Sequence, residues 1–586
     1  MISVRVIVGD GLKLLTPQER RRAYLLVPLF VLAGFVEMLA LGSVAPLASL
    51  LVAPDSLKQM PLAANAFAYL GLTETRDIMI ALASSVMGFL VFAAGFTVIV
   101  QHWFRSFCTR CGARMGTDVY RLVLGTPYTF LLRRNAARLA SEIQNDLAIT
   151  TNVFIPALFA SFYALSLVVF GIIMIVGFSA WQGFVGVVAI GVCAFLAHKS
   201  TRATIQRLAE EGRVAVQDGA GLATQAFVGF KDIKIKHAED AFSGAIGHAF
   251  TRLVTTRQQQ IFLQQLVPLI FTIIGQLGLI AVAVWMLAGG VTFGQVVSQI
   301  TLLLLVFARL IPAANRLIAG AQRIHQSEPH IRALKKLIAE AAAENAASST
   351  TSKFPDAWQH LALRDVCFAY APEEGTTLDH VSIDIRRGRS YGIAGPSGAG
   401  KSTLVDILLG LLVPSTGMIE IDGTPADLSD ESWHRRVGYV PQSTFILDDN
   451  VRRNVAFTSS DEAVDDERVY NCLAMAGLRS LRGEAKIDLG LQLGDRGNQL
   501  SGGQRQRIAI ARALYAQPEI IVFDEATSGL DKETENEILT TIQSLPGALT
   551  RLVISHDPDT ITRCDEVISL VAGRVKSQSQ TTPHKL

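Results

Sequence analysis

Charge is what this sequence has least of. Its 53 Lys+Arg and 51 Asp+Glu make up only 18% of 586 residues, where a soluble globular domain carries about 25%. The net charge of +2 gives no support to bulk nucleic-acid binding, which wants a basic face. Cysteine is sparse too: six residues, mostly isolated, which do not form a disulfide framework. Cys108 and Cys111 make one close pair, but no second pair follows at metal-site spacing, so they read as ordinary thiols on a helix. Apolar runs are missing from about residue 320 onward and crowded before it. What is abundant is hydrophobicity, at 50% of residues. The composition is that of a membrane protein.

Six apolar segments reach the roughly 20 residues that cross a bilayer: about 23–52, 79–103, 153–177, 182–198, 262–288 and 294–314. The first is longer than the apolar core of a signal peptide and follows Arg20, Arg21 and Arg22. Cations crowd two connections, from Arg105 to Arg138 and from Lys199 to Arg257, while 178–182 and 289–293 carry none. The positive-inside rule therefore puts both long connections and both termini in the cytoplasm. Periodic apolar residues in those connections predict helices that run on beyond the membrane. Residues 61–72 read either as a short interfacial helix or as an ordinary packed loop helix.

The chain divides by composition. Residues 1–338 form a helical membrane domain, 339–357 a Ser/Thr linker, 358–575 an α/β domain and 576–586 a polar tail. The chemistry lies in the α/β part. GPSGAGKS, 395–402, follows an apolar strand and opens a helix, the context of a phosphate-binding loop. Gly395, Gly398 and Gly400 let backbone N–H groups of the loop, which also holds Pro396, Ser397 and Ala399, turn onto phosphate oxygens. Lys401 reaches the β- and γ-phosphates, Ser402 ligates Mg²⁺, and Thr403 continues the loop into its helix. A buried strand, Ile520 to Phe523, delivers Asp524 as a Mg²⁺ ligand, and Glu525 beside it is the general base for an attacking water.

With LSGGQ at 500–504 the chain resembles the ATP-binding-cassette transporters. The resemblance implies several roles. Ser501, Gly502, Gly503 and Gln504 are the signature that caps a nucleotide, and Gln442 of YVPQ is the Q-loop glutamine, with catalytic and Mg²⁺ duties. Ser528–Asp531 form the D-loop, His556 is the switch histidine, and Tyr370 stacks on adenine. ATP and Mg²⁺ are the implied cofactors. One cassette with six spans implies a half-transporter, an ATP hydrolase that works as a homodimer or with a paralogous partner. Fused membrane and ATPase domains resemble the exporters, and 124–147 looks like the first intracellular loop with its coupling helix. GFVEMLALGSVAPL (34–47), GFKDIKIKHAEDAF (229–242) and FARLIPAANRL (307–317) look like bacterial lipid-linked-oligosaccharide flippases. That implies a flippase of the bacterial inner membrane with a lipid or lipid-linked glycan substrate. A multidrug or general lipid exporter of the same fold is the alternative.

Two residues of formal charge, Glu37 and Arg309, fall within predicted spans. Glu37 lies 14 residues past Ala23, about 21 Å into the bilayer, where an unpaired carboxylate costs roughly 3 kcal/mol on insertion scales. Arg309 is the arginine of span six, and spans two and five add no cation at mid-depth. They read as substrate contacts, a guanidinium suiting a lipid diphosphate, or as structural groups: Glu37 paired with Arg309 or with Gln101 and His102 of span two, and Arg309 as that partner or as a snorkelling residue.

Overall fold

The computed structural model describes residues 4–44, 47, 75–178, 203–289 (without 205, 206, 209, 210, 213 and 217), 293–347, 355–370 (without 356), 375–458, 464–481 and 487–580 (without 495, 496, 498 and 529). Predicted span four and segment 61–72 lie outside the described residues. The chain forms two compact units, 1–124 with 136–340 and 125–135 with 341–586.

The first unit is helical. Its described elements are α1 (Val4–Lys13), α2 (Pro17–Gly42), α3 (Thr75–Leu124), α5 (Ala136–Ile149), α6 (Ile155–Phe178), α7 (Phe230–Lys236), α8 (Glu239–Ala288) and α9 (Phe293–Ala347); the short α4 (Tyr128–Leu132) belongs to the other unit. Among the described residues, four helices are long and apolar enough to cross a membrane: those containing 17–42, 76–124, 139–175 and 303–346. The 50-residue α3 and 50-residue α8 extend well outside their apolar stretches, as the periodicity of the connections predicts, and the 55-residue α9 continues past its own.

Local chemistry starts α2 where it starts. Thr16 caps it, accepting from Glu19 N at 3.3 Å while Glu19 Oε2 accepts from Thr16 N at 2.9 Å, and Pro17 occupies the first turn. Arg114 of α3 then donates to Glu19 Oε1 at 2.7 Å and to Leu14 O at 3.3 Å, locking the α1–α2 corner to α3. Lys335 of α9 reaches Asp10 of α1 at 2.6 Å. Between spans the packing is close: a Cβ on Gly34 would stand 2.0 Å from Ser166 Oγ, and one on Gly171 would meet Met38 and Leu310. Small residues bring membrane helices together where hydrophobicity offers no drive between them. A single π-helical turn, Thr150–Phe154, joins α5 to α6. The apolar pattern of span three does not disclose it, because one extra residue in a turn leaves composition unchanged.

The second unit is α/β. β1 (His360–Phe368), β2 (Leu378–Arg386), β4 (Thr416–Ile421) and β5 (Thr424–Pro425) form an antiparallel sheet in the order β2-β1-β4-β5. β3 (Ser390–Ala394), β6 (Val437–Val440), β7 (Ile520–Asp524), β8 (Thr550–Ile554), β9 (Glu566–Val571) and β10 (Arg574–Gln580) form a second sheet, ordered β10-β9-β3-β8-β7-β6. β9, β3, β8, β7 and β6 pair in parallel and β10 antiparallel. The parallel strands read as continuous apolar runs because both faces are covered: Ile520, Ile521, Val522 and Phe523 are all buried. Each such side chain contributes about 1.5–3 kcal/mol.

Candidate functional site

The parallel sheet positions the site. β3, β8 and β7 are adjacent, and their C-terminal ends carry respectively the glycine loop 395–400, His556, and the pair Asp524–Glu525. β6, next to β7, ends two residues before Gln442. Ligand sites of open α/β sheets lie at this carboxyl edge. Four segments far apart in sequence thus converge on one place.

The glycine loop needs its glycines. Gly398 and Gly400 have φ of +77° and +94°, a left-handed region that favours residues without Cβ. A Cβ on Gly400 would also sit 2.7 Å from Leu378 Cδ2, and one on Gly395 2.3 Å from Leu570 O. Lys401, buried at 6% exposure, arches back so that Nζ donates to Gly395 O and Pro396 O, both at 2.9 Å. Ser402 and Thr403 open the helix Lys401–Leu408, whose first-turn N–H groups and dipole face the loop. The Tyr370 hydroxyl lies 3.1 Å from Thr403 Oγ1, and its ring meets Phe368 edge-on at 5.0 Å. The Tyr370 hydroxyl thus reaches the first turn of that helix.

Glu525 is the hub of the candidate catalytic cluster. Its φ of +46° turns it out of β7. Gln442 Nε2 donates to Glu525 Oε2 at 2.7 Å, and His556 Nε2 lies 2.6 Å from Glu525 Oε1. Asp524 accepts from the Tyr439 hydroxyl at 3.1 Å. Burial, reinforced by the neighbouring Glu525, pushes the Asp524 carboxyl above its ordinary range despite that hydrogen bond. Asp406 is pushed up to about 6 by burial and then by the charge of Asp524. A cation placed there would relieve both groups. The donors present, hydroxyl, carboxylate and amide oxygen, are the hard set Mg²⁺ takes, so the residues fit it.

Ser501 caps the helix Gly502–Tyr515: its Oγ accepts from Gln504 N at 3.2 Å, and Gln504 Oε1 accepts from Ser501 N at 2.9 Å. This reciprocal box fixes the first turn through Ser501 and Gln504 and does not use the N–H groups of Gly502 and Gly503. Asp531 caps the helix Lys532–Ser544 through Thr534 N at 2.9 Å. Leu530 packs at Gly502, where an added Cβ would lie 3.0 Å away. Signature and D-loop are thus neighbours, while no hydrogen bond or ion pair of the described residues links the signature to the Glu525 cluster.

Two residues of this unit escaped sequence reasoning. Tyr439 stands on β6 opposite Val522, three positions before Gln442. Asp406 lies four residues after Ser402, which places both on one face of their helix. That spacing is a signal which could have found it. The short helix Tyr128–Leu132, with residues 125–135, groups with this unit. Burial, then the Asp406 charge, raises the Tyr128 phenol.

In the membrane unit the structure brings Glu37 and Arg309 together, Arg309 Nη1 lying 3.0 Å from Glu37 Oε1. The Tyr163 hydroxyl donates to the other oxygen, Glu37 Oε2. All three line a cavity of about 860 Å³ to which Gln101, Arg105, Asn152 and Arg316 also contribute. Arg105 and Arg316 were missed because they fall just past the apolar runs of spans two and six. The helices continue without a break, so residues outside a run by composition still reach the cavity wall. The π turn contributes Thr151 and Asn152 to the same wall.

Comparison with known proteins agrees with this architecture. The ABC transporter family profile matches residues 378–528, and that of the ABC transporter transmembrane region matches 60–310. Leukotoxin translocation ATP-binding proteins LktB of Mannheimia haemolytica and of Bibersteinia trehalosi are each 37% identical over 227 residues, 39% of this chain and 32% of theirs. The match therefore spans about a third of those relatives. A solved structure described as a bacterial Atm1-family ABC exporter with ATP bound superposes with a TM-score of 0.73 at 22% identity, covering 96% of this chain and 95% of that one. At that identity the likeness is one of fold.

Proposed function

We infer, from the premise that this chain is an ABC exporter half-transporter with a helical membrane domain fused to an ABC ATPase domain, that it is a flippase of the bacterial inner membrane. It works as a homodimer, with both termini in the cytoplasm, and turns a lipid-linked oligosaccharide across the bilayer at the expense of ATP. A multidrug or general lipid exporter is the second reading. The leukotoxin relatives match over too little of their length for their cargo to be carried over.

The ABC ATPase domain implies ATP binding, normally with Mg²⁺. The glycine loop and Lys401 would hold the phosphates, Tyr370 would offer its ring to adenine, and Ser402, Gln442 and Asp524 would hold Mg²⁺, which would neutralise phosphate charge. Gln442 and His556 hold the Glu525 carboxylate from its two oxygens, so it is oriented to take a proton from water. In the homodimer, Ser501 and the glycines of one chain close over nucleotide held by the other. ATP binding then draws the cassettes together and hydrolysis releases them.

The cavity carries the cargo reading. Three arginines and one carboxylate line it, beside apolar walls such as Phe30, Leu41 and Phe104. That combination suits an amphiphile with a negatively charged head. One observation favours the second reading: Glu37 neutralises Arg309, which a neutral amphiphile tolerates better. ATPase activity in proteoliposomes separates them. Stimulation by undecaprenyl-diphosphate-linked oligosaccharide, and not by neutral lipids or cationic drugs, supports the flippase. The reverse pattern rejects it.

A further inference from the structure

We propose that Cys367, Asp379 and His380, on the antiparallel sheet of the ATPase unit, form a three-ligand site for a zinc-class divalent ion. The strand register builds the cluster. β1 and β2 pair Val366 with Val381 and then Phe368 with Leu378, so β2 carries one extra residue at this point. The bulge falls on Asp379 and His380, and His380 adopts a φ of +51°. It brings the His380 backbone N–H within 3.3 Å of Cys367 Sγ. One ligand atom from each of the three side chains lies within 4.8 Å of the others.

The surroundings orient the ligands. His380 Nδ1 lies 2.6 Å from Asp365 Oδ1, the carboxylate–histidine pairing that fixes a ring and leaves Nε2 to bind metal. Nε2 faces Asp379 Oδ1 at 3.7 Å. Arg574 Nε donates to the other oxygen, Asp379 Oδ2, at 2.7 Å. The first oxygen is left for an ion. Tetrahedral bonds of ~2.0–2.3 Å put ligand atoms about 3.5 Å apart, so small rotations of half-exposed side chains close the site. Thiolate, imidazole and carboxylate together select zinc-class ions over Mg²⁺ or Ca²⁺. The site is thereby chemically distinct from the hard-oxygen set at Asp524. On binding, the Cys367 thiol proton passes to solvent as the sulfur takes the metal. The site does not depend on the transport reading.

The site has a structural consequence. Cys367 adjoins Phe368, which packs on Tyr370, and Leu378 touches the position of Gly400. An ion bound here ties β1 to the start of β2 beside the nucleotide loop.

Cobalt titration of the metal-stripped, full-length protein tests the site, with Co²⁺ alone as probe. One equivalent should produce a thiolate-to-cobalt charge-transfer band in the near ultraviolet and intense tetrahedral d–d bands, both displaced by Zn²⁺. Cys367→Ser should lose the charge-transfer band, and Asp365→Asn should weaken binding by about 10-fold. Basal ATPase activity of the metal-free variants, unchanged from wild type, reports that they fold. Absence of the band in the wild type overturns the proposal. So does a band that persists in Cys367→Ser, since the thiols would then lie elsewhere.

Discussion

Gln442 and His556 grip the two carboxylate oxygens of Glu525 from opposite sides of the chain's order, at 2.7 Å and 2.6 Å. They come from segments after β6 and β8, which flank β7 in the sheet. A carboxylate held twice is oriented before water arrives, and its protonation changes both contacts. Hydrolysis should therefore depend on Glu525 as a base and on its neighbours as positioning groups.

Glu525→Gln keeps the shape and removes the base. Turnover should fall at least ~10²-fold while ATP binding persists. Steady-state ATPase assays and equilibrium nucleotide binding on the full chain check this. Near-normal turnover would remove Glu525 from the chemistry.

Ser501→Arg replaces the cap of the signature helix with bulk and positive charge. Loss of the cap alone costs ~1 kcal/mol, too little to unfold the domain. ATP binding should survive and ATPase activity should vanish. Ser501→Thr, which can still cap, should retain substantial activity. Persistent turnover in Ser501→Arg would sink the two-chain nucleotide sandwich.

Tyr439→Phe removes the hydroxyl that donates to Asp524 Oδ2 at 3.1 Å. A hydrogen bond of about 1 kcal/mol corresponds to roughly fivefold in the Mg²⁺ concentration for half-maximal ATPase. The rate at saturating Mg²⁺ should stay near wild type. An unchanged Mg²⁺ dependence would show that Asp524 is placed by β7 alone.

Glu37 and Arg309 call for a double-mutant cycle. If their ion pair is structural, each single change to Ala leaves an unpaired charge at the cavity and lowers protein yield, and the double change restores it. If Arg309 instead serves the cargo, lipid-stimulated ATPase stays low in the double variant although yield recovers. Basal ATPase should remain near wild type throughout.

The candidate nucleotide site could be proposed from sequence because its motifs are local. A glycine loop between strand and helix, a carboxylate pair at a strand end and a capped Ser-Gly-Gly turn each carry their geometry within a few residues. Tyr439 and Asp406 were not read, since their meaning depends on which strand lies next to β7 and which helix face meets it. In the membrane unit, composition located Glu37 and Arg309 and held open their pairing, and the two side chains meet at 3.0 Å. Arg105 and Arg316 were hidden by a boundary drawn where apolarity ends, although the helices do not end there. The Cys367 cluster was invisible for a related reason: a β-bulge pairs residues 13 apart, and only strand register discloses it.

The central claim is transport driven by Glu525-dependent ATP hydrolysis. The most direct measurement places the chain in proteoliposomes containing fluorescent lipid-linked oligosaccharide and follows its passage between leaflets with and without ATP. The account predicts ATP-dependent translocation by the wild type and none by Glu525→Gln at equal reconstitution. Equal translocation by both, or by wild type without ATP, would contradict it.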